Sequence, residues 1–380
     1  MALRALARVN LAAIERNVIA LRGRLDDGAE LCAVVKADAS GHGAVPVARA
    51  ALAGGATMLA VATAGEAAEL RAAGLSAPLL VLGAVSDEEL PVVLAASAAV
   101  VAWDEPFIEA LAAAAGGRGW ARAVDVHLKL DSGMGRLGTR DAEEAFAVAA
   151  AIHDRAPGLR LAGVMTHLAT ADGDLAFAAA QLDAFAPFAA ELQRRYGRLR
   201  VHAANSAGTL RVPGSHFDMV RCGIALYGCD PMNEDPDATG LEQAMELGTY
   251  VAAIKRANAG DSVGYGRRFI AQRPTWIATM PIGYGDGVRR GLTNNCDVLI
   301  DGRRYPLVGT VSMDNITADL GAGDPAVPVG ACAILIGRSG EERQTVEDIA
   351  HRLDTINHEV LCGISARVTR RYHRDGVPVP

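Results

Sequence analysis

Short apolar runs alternate with alanine-rich stretches of helical period from residue 31 to about residue 230. The runs are Leu31–Lys36, Met58–Thr63, Pro78–Gly83, Ala99–Trp103, Ala123–Leu130, Leu161–His167, Leu199–Ala204 and Asp218–Gly223. Their brevity and mostly apolar character suit strands buried on both faces. Between them, Gly65–Ala73, Pro106–Ala115, Ala142–His153 and Ala178–Tyr196 predict helices. Eight strands interleaved with helices predict an α/β fold, a TIM-like (β/α)8 barrel. An open doubly wound sheet is the alternative, but no G-x-G-x-x-G follows the first strand, so the barrel is favoured.

The texture changes after Gly228. Pro231 to Pro236 resembles a linker, and shorter alternating segments follow. Asp297 to Tyr305 reads as a hairpin around the Asp301-Gly302 turn. A helix is expected to start at Thr345, with Asp348 completing a capping-box variant. These features divide the chain into a barrel domain, 1–240, and a mostly β domain, 241–380. The first ten or so residues precede the barrel and are free to pack on either.

Composition narrows the function. A chain of 380 residues that is 51% hydrophobic supports two cores. A net charge of -7 offers no electrostatic case for nucleic acid or an anionic membrane. No run reads as a membrane span, and the N-terminus carries charges throughout, so a soluble cytoplasmic protein is expected. The six cysteines stand in mostly apolar contexts without metal-ligand spacing and read as reduced, buried small hydrophobes. No metal is expected.

The C-terminal ends of barrel strands converge on one face, where catalysis sits. Those ends deliver Lys36, the Lys129–Arg136 region, His167, Asn205 with Ser206, and Arg221. Lys36 closes an apolar strand. Apolar walls hold such an amine partly neutral, as nucleophilic amine chemistry requires, although a lone strand-end lysine more often points to solvent. Ser206 opens a short helix after the seventh strand, and Gly223 and Ile224 follow the eighth. Loops in those positions form the usual phosphate site of a barrel, while an ordinary helix cap explains Asn205-Ser206 taken alone.

The string AVVKADASGHG (33–43) resembles the pyridoxal-phosphate lysine segment of alanine racemases. The likeness continues through LKLDSGMGRLG (128–138), GVMTHLATAD (163–172), HAANSAGTLR (202–211), FDMVRCGIALYG (217–228), VGYGRRF (263–269), PIGYGDG (281–287), VGTVSMDN (308–315) and TINHEVLCGISARV (355–368). So many motifs in order, over nearly the whole chain, are highly specific. The resemblance implies pyridoxal 5'-phosphate on Lys36, with Arg221 against the pyridine nitrogen. It implies a homodimer in which Tyr265 of one copy serves the other's site as the second base, linked to His167 and Arg221. It implies Arg136 and the Met313 N–H on the substrate carboxylate, and Tyr284 and Asp286 along the access channel. Asn205, Ser206, Gly223 and Ile224 would hold the cofactor phosphate. The resemblance implies a carbamate on Lys129; a plain buried lysine paired with a carboxylate is the alternative and meets the same burial requirement.

Two positions depart from the family. Tyrosines that donate to the cofactor phosphate are replaced by Ser40 and His358. Losing such a bond costs about 1.5–3 kcal/mol when nothing replaces it. Weaker cofactor retention, a wider substrate range and neutral drift all follow as alternatives. The expected function is interconversion of L- and D-alanine for peptidoglycan. A broad-specificity or serine-type racemase is the alternative, and a related decarboxylase or a non-enzymatic cofactor carrier stands further off. Arg221 counts against the decarboxylase, where an acid is expected. The intact second domain with Tyr265 and Met313 counts against the carrier.

Overall fold

The computed structural model describes residues 3–116, 123–155, 157–323 and 325–379. The chain forms two compact units: Ile14–Ala39 with Gly43–Leu226, and the residues up to Ala13 with Ser40–His42 and Tyr227–Pro380.

The first unit is the barrel. Its strands are Glu30–Val34, Met58–Val61, Leu79–Val81, Ala99–Ala102, Val124–Lys129, Leu159–Met165, Arg200–His202 and Met219–Cys222. Each falls within or beside a segment expected to be a strand. All pair in parallel, in the order seven-six-five-four-three-two-one-eight. Between strands eight and seven a seam replaces the ladder. Arg221 N–H donates to the Ala204 carbonyl at 3.0 Å, and Asp218 N–H to that of Val201 at 3.0 Å. The Asp218 carboxylate accepts from Val201 N–H at 2.7 Å. Cys32, Val34, Met58, Ala60, Leu80, Ala99, Val101, Met165 and Met219 pack together as one buried cluster. Two-residue spacings within it, such as Cys32/Val34 and Met58/Ala60, show that alternate side chains fill the interior, as the pleat of a strand requires.

The helices arise where their periods place them: Ala64–Ala72, Glu105–Gly116, Ala142–Asp154 and Leu175–Tyr196 among others. Asp141 caps the third of these through its carboxylate. Contrary to the expectation that no run suits a membrane, Leu175–Tyr196 is long and apolar enough to cross one by length and composition. Within the barrel unit it buries a face comprising Ala178, Leu182, Phe185, Phe188 and Leu192.

The second unit is mostly β. Leu6–Asn10 lies between Met245–Tyr250, antiparallel, and Thr369–Arg374, parallel, within its larger sheet. Asp297–Ile300 and Arg303–Pro306 form the expected hairpin, with Asp301 and Gly302 both at positive φ (48° and 75°). A turn with both central residues left-handed matches the twist of the flanking strands. Thr345 caps Val346–Arg352 in a capping box closed by Asp348. Cysteines 32, 222, 229 and 296 are buried, but Cys332 and Cys362 are exposed, which corrects the reading of all six as buried.

Candidate active site

Lys36 follows the first barrel strand and is exposed. The segment that begins with it is a six-residue helical turn, Lys36–Gly41. Ala37, Asp38, Ala39 and Ser40 all lie at φ between 51° and 53°, so the turn is left-handed. Each L-residue in that conformation costs about 1–2 kcal/mol, which neighbouring groups must offset. Nothing in the local sequence announces it, because only Gly41 and Gly43 suit positive φ intrinsically.

Arg221, on the eighth strand, is 3% exposed. Its NH2 donates to the carbonyls of Thr166 (2.9 Å) and Ala203 (2.9 Å) and to His167 Nδ1 (3.1 Å). Its NH1 donates to His202 Nδ1 at 2.8 Å. Because a guanidinium only donates, His202 must accept at Nδ1 and carry its proton on Nε2. That proton is donated to His127 Nδ1, 2.7 Å away. Burial lowers the Arg221 pKa to about 10. Burial, then the charge of Arg221, keeps His202 and His167 neutral with pKa values well below the usual imidazole range. Burial pulls His127 down to about 4. A directional chain of hydrogen bonds therefore runs from strand eight through strand seven to strand five.

That chain passes over strand six at Gly163, which pairs with His127 on one side and Arg200 on the other. A Cβ there would stand 2.5 Å from His127 Nδ1. The glycine is what lets the two rings meet. His127 and His202 were not among the sequence candidates. The available signal was a histidine inside each of two short apolar strands.

Lys129 is 3% exposed, and burial together with the charges of Arg136 and Arg221 lowers its pKa to about 8. No ion pair to Lys129 occurs among the described residues, and the Asp131 carboxylate acts on it only through space, raising its pKa against those effects. Asp131 instead organises the loop bearing Arg136. Its Oδ1 accepts from the N–H groups of Gly133 (3.1 Å) and Gly135 (3.0 Å), and its Oδ2 from Arg140 Nε (3.1 Å). Burial raises the Asp131 pKa, but these donors outweigh it and the net shift is downward. Arg136 itself is exposed.

Asn205 caps the short helix Ser206–Arg211 by accepting from Gly208 N–H at 2.9 Å. Ser206 Oγ accepts from Gly223 N–H at 3.0 Å and Ala225 N–H at 3.4 Å, joining the loops after strands seven and eight. Ile224 begins the 3-10 turn that follows. The barrel unit thus brings together Lys36, Lys129, Arg136, His167, Asn205, Ser206, Arg221, Gly223 and Ile224.

The remaining candidates lie in the β unit. Tyr265, Tyr284 and Met313 are exposed by 74%, 44% and 52%. Hydrogen bonds to main-chain carbonyls gather their loops: Thr310 Oγ1 donates to the Tyr265 carbonyl (2.6 Å), Tyr284 N–H to Ser312 O (2.9 Å) and Gly285 N–H to Met313 O (2.9 Å). Asp286 is fully buried, accepting from Arg4 NH1 and NH2 at 2.7 and 2.8 Å and from Gly283 N–H at 3.0 Å. Its side chain holds the loop that carries Tyr284. Ser40 is half-buried and His358 exposed.

The model of the alanine racemase N-terminal domain matches residues 9–231, and that of the C-terminal domain residues 244–372. An alanine racemase of Symbiobacterium thermophilum is 42% identical over 369 residues, spanning 96% of each chain. A second, from Bacillus subtilis, is 39% identical over 97% of this chain and 93% of its own. Among solved structures, the Streptomyces lavendulae enzyme superposes with a TM-score of 0.92 at 35% identity, covering 98% of both chains. The Bacillus anthracis enzyme, solved with bound L-Ala-P, gives 0.89 at 37% identity over 99% of this chain and 96% of that one. The chain therefore belongs to the alanine racemase family, whose members are isomerases.

Proposed function

We propose that this chain interconverts L-alanine and D-alanine in the cytoplasm, supplying D-alanine for peptidoglycan, with pyridoxal 5'-phosphate on Lys36 and sites completed in a homodimer. The observation that carries this reading is Arg221. Both its terminal nitrogens are engaged by the protein, while its Nε–H has no partner among the described residues. A donor that cannot accept suits an unprotonated pyridine nitrogen, and the exposed Lys36 amine suits the cofactor's aldehyde carbon, so the donor set fits. When bound, the cofactor draws electrons from the substrate Cα–H bond, and an unprotonated ring nitrogen keeps that pull mild.

The chain's own groups then move one proton. Lys36 Nζ takes or returns it on one side of Cα, and Tyr265 Oη of a second copy does so on the other. A free tyrosine has a pKa of about 10 and is a weak base at neutral pH. His167, which accepts from Arg221 at Nδ1, keeps its Nε2–H to stabilise the phenolate, with the arginine charge behind it. Arg136 and the Met313 N–H of the second copy hold the substrate carboxylate. Lys129, with its pKa lowered to about 8, offers more of the neutral amine that combines with carbon dioxide and releases a proton than an ordinary lysine does. The resulting carbamate would orient Arg136. By the family likeness, Asn205, Ser206, Gly223 and Ile224 would hold the cofactor phosphate, and Ser40 and His358 stand where the family has its phosphate-donating tyrosines. Tyr284 lines substrate access, with Asp286 bracing its loop. The exposed Tyr265, Tyr284 and Met313 support dimerisation, since apolar surface gathered on one side needs a partner.

Chiral analysis of L-alanine incubated with the protein in D2O tests this. D-alanine carrying deuterium at Cα is expected. No exchange, or exchange without inversion, refutes the two-base reading.

A further inference from the structure

The left-handed turn after Lys36 places non-glycine residues in a conformation that persists only where the surroundings over-determine it. First-turn N–H groups of any helix lack an acceptor within the helix. For Ala37 that acceptor is Glu66 Oε1, at 2.6 Å. The other oxygen, Oε2, accepts from Ala62 N–H at 2.7 Å and Thr63 N–H at 3.1 Å, just past the second barrel strand. One carboxylate thus ties the residue after Lys36 to the end of the neighbouring strand. Further along the turn, Asp38 Oδ1 accepts from Ala44 N–H at 2.7 Å, and the Asp38 carbonyl from Gly43 N–H at 2.9 Å. The turn is therefore clamped at two points by carboxylates.

We propose that Glu66 is a positioning residue for Lys36: by fixing the Ala37 amide it sets the direction in which the lysine leaves the strand. The inference rests on the reading of Lys36 as the cofactor lysine. Glu66 also closes a capping box with Thr63 Oγ1, which accepts from Glu66 N–H at 3.2 Å on helix Ala64–Ala72. A role confined to capping that helix is the competing account, and Thr63 separates the two.

The experiment exposes the parent, Glu66→Ala, Glu66→Gln and Thr63→Ala to pyridoxal phosphate, then fixes the product with borohydride. Peptide mass spectrometry reads the rate at which Lys36 becomes labelled. Glu66→Ala should label about tenfold more slowly, the scale of a lost hydrogen bond to a charged group. Glu66→Gln keeps one acceptor oxygen and should recover part of the rate. Thr63→Ala breaks the cap but spares the bond to Ala37, and should match the parent. Equal slowing in Glu66→Ala and Thr63→Ala, or none in Glu66→Ala, overturns the proposal. A parent that is not labelled at Lys36 refutes the cofactor reading itself, and the inference falls with it. If Glu66→Ala does not fold, hydrogen exchange in the parent decides. Protection of the Ala37 amide is expected, and exchange at the unstructured rate overturns the proposal.

Discussion

Replacing Gly163 by alanine should cut the hydrogen-bonded chain that runs from Arg221 to His127. The added Cβ would stand 2.5 Å from His127 Nδ1, 2.8 Å from its Cε1 and 2.7 Å from the Arg200 carbonyl oxygen. The last contact is backbone on the neighbouring strand, so a side-chain rotation cannot relieve it. Overpacking of this kind costs about 1–3 kcal/mol. Moving the His127 ring forfeits its 2.7 Å bond to His202 and leaves a fully buried Nε2–H unpaired, about 1–3 kcal/mol more. The expected loss is about 2–6 kcal/mol, a large part of the roughly 5–15 kcal/mol that holds a typical domain together. Urea unfolding at fixed protein and cofactor concentration measures it. The mechanism is tested by a cycle with His127→Ala. Removing the ring removes its clash, and His202 is unpaired in both single variants, so the double variant should lose about 1–3 kcal/mol less than the sum. A Gly163→Ala chain within about 0.5 kcal/mol of the parent, or strictly additive losses, refutes the reasoning.

Four further outcomes are expected. His127, His167 and His202 have folded pKa values below their unfolded values, so the unfolded chain binds more protons under acid conditions. Their stabilising effect is intact above about pH 6.5. For His127 it is lost down to about pH 4, some 3 kcal/mol in all; urea midpoints that stay flat across that window would contradict this. Tyr265→Phe should abolish inversion while Lys36 still exchanges Cα–H of one enantiomer, which deuterium incorporation into L- and D-alanine checks separately; equal retention of both exchanges would exclude Tyr265 as a base. Ser40→Tyr and His358→Tyr should each slow cofactor loss on dialysis by about tenfold or more, as a restored hydrogen bond to phosphate requires; unchanged retention favours neutral drift, and serine or lysine turnover negligible beside alanine removes the case for a wider pocket. With 13C-labelled bicarbonate, a carbamate signal that grows from about pH 7 to 9 and vanishes in Lys129→Ala is expected from an amine with a pKa of about 8; its absence throughout leaves Lys129 an unmodified lysine.

The clearest sequence signals were local ones. Each barrel strand was legible because a strand buried on both faces needs only a short apolar run. The Asp301-Gly302 turn and the Thr345 cap were legible because a few neighbouring residues determine their geometry. Lys36, His167 and Arg221 were picked out because strand ends face one mouth in a barrel. Leu175–Tyr196 shows the limit of composition, since a helix packed on a core and a membrane span pass the same length and hydropathy test.

What the sequence by itself determined is the succession of elements and the residue types at the strand ends, because both follow from period and neighbouring chemistry. Tertiary structure alone decided which distant groups meet. The left-handed turn after Lys36 is held from Glu66, and His127 reaches His202 across Gly163. Asp131 winds the Arg136 loop about its carboxylate, and Leu6–Asn10 becomes an inner strand of a sheet built mainly from the other end of the chain. In each case the partner lies beyond the local window, and its identity depends on which strands become neighbours when the sheets form.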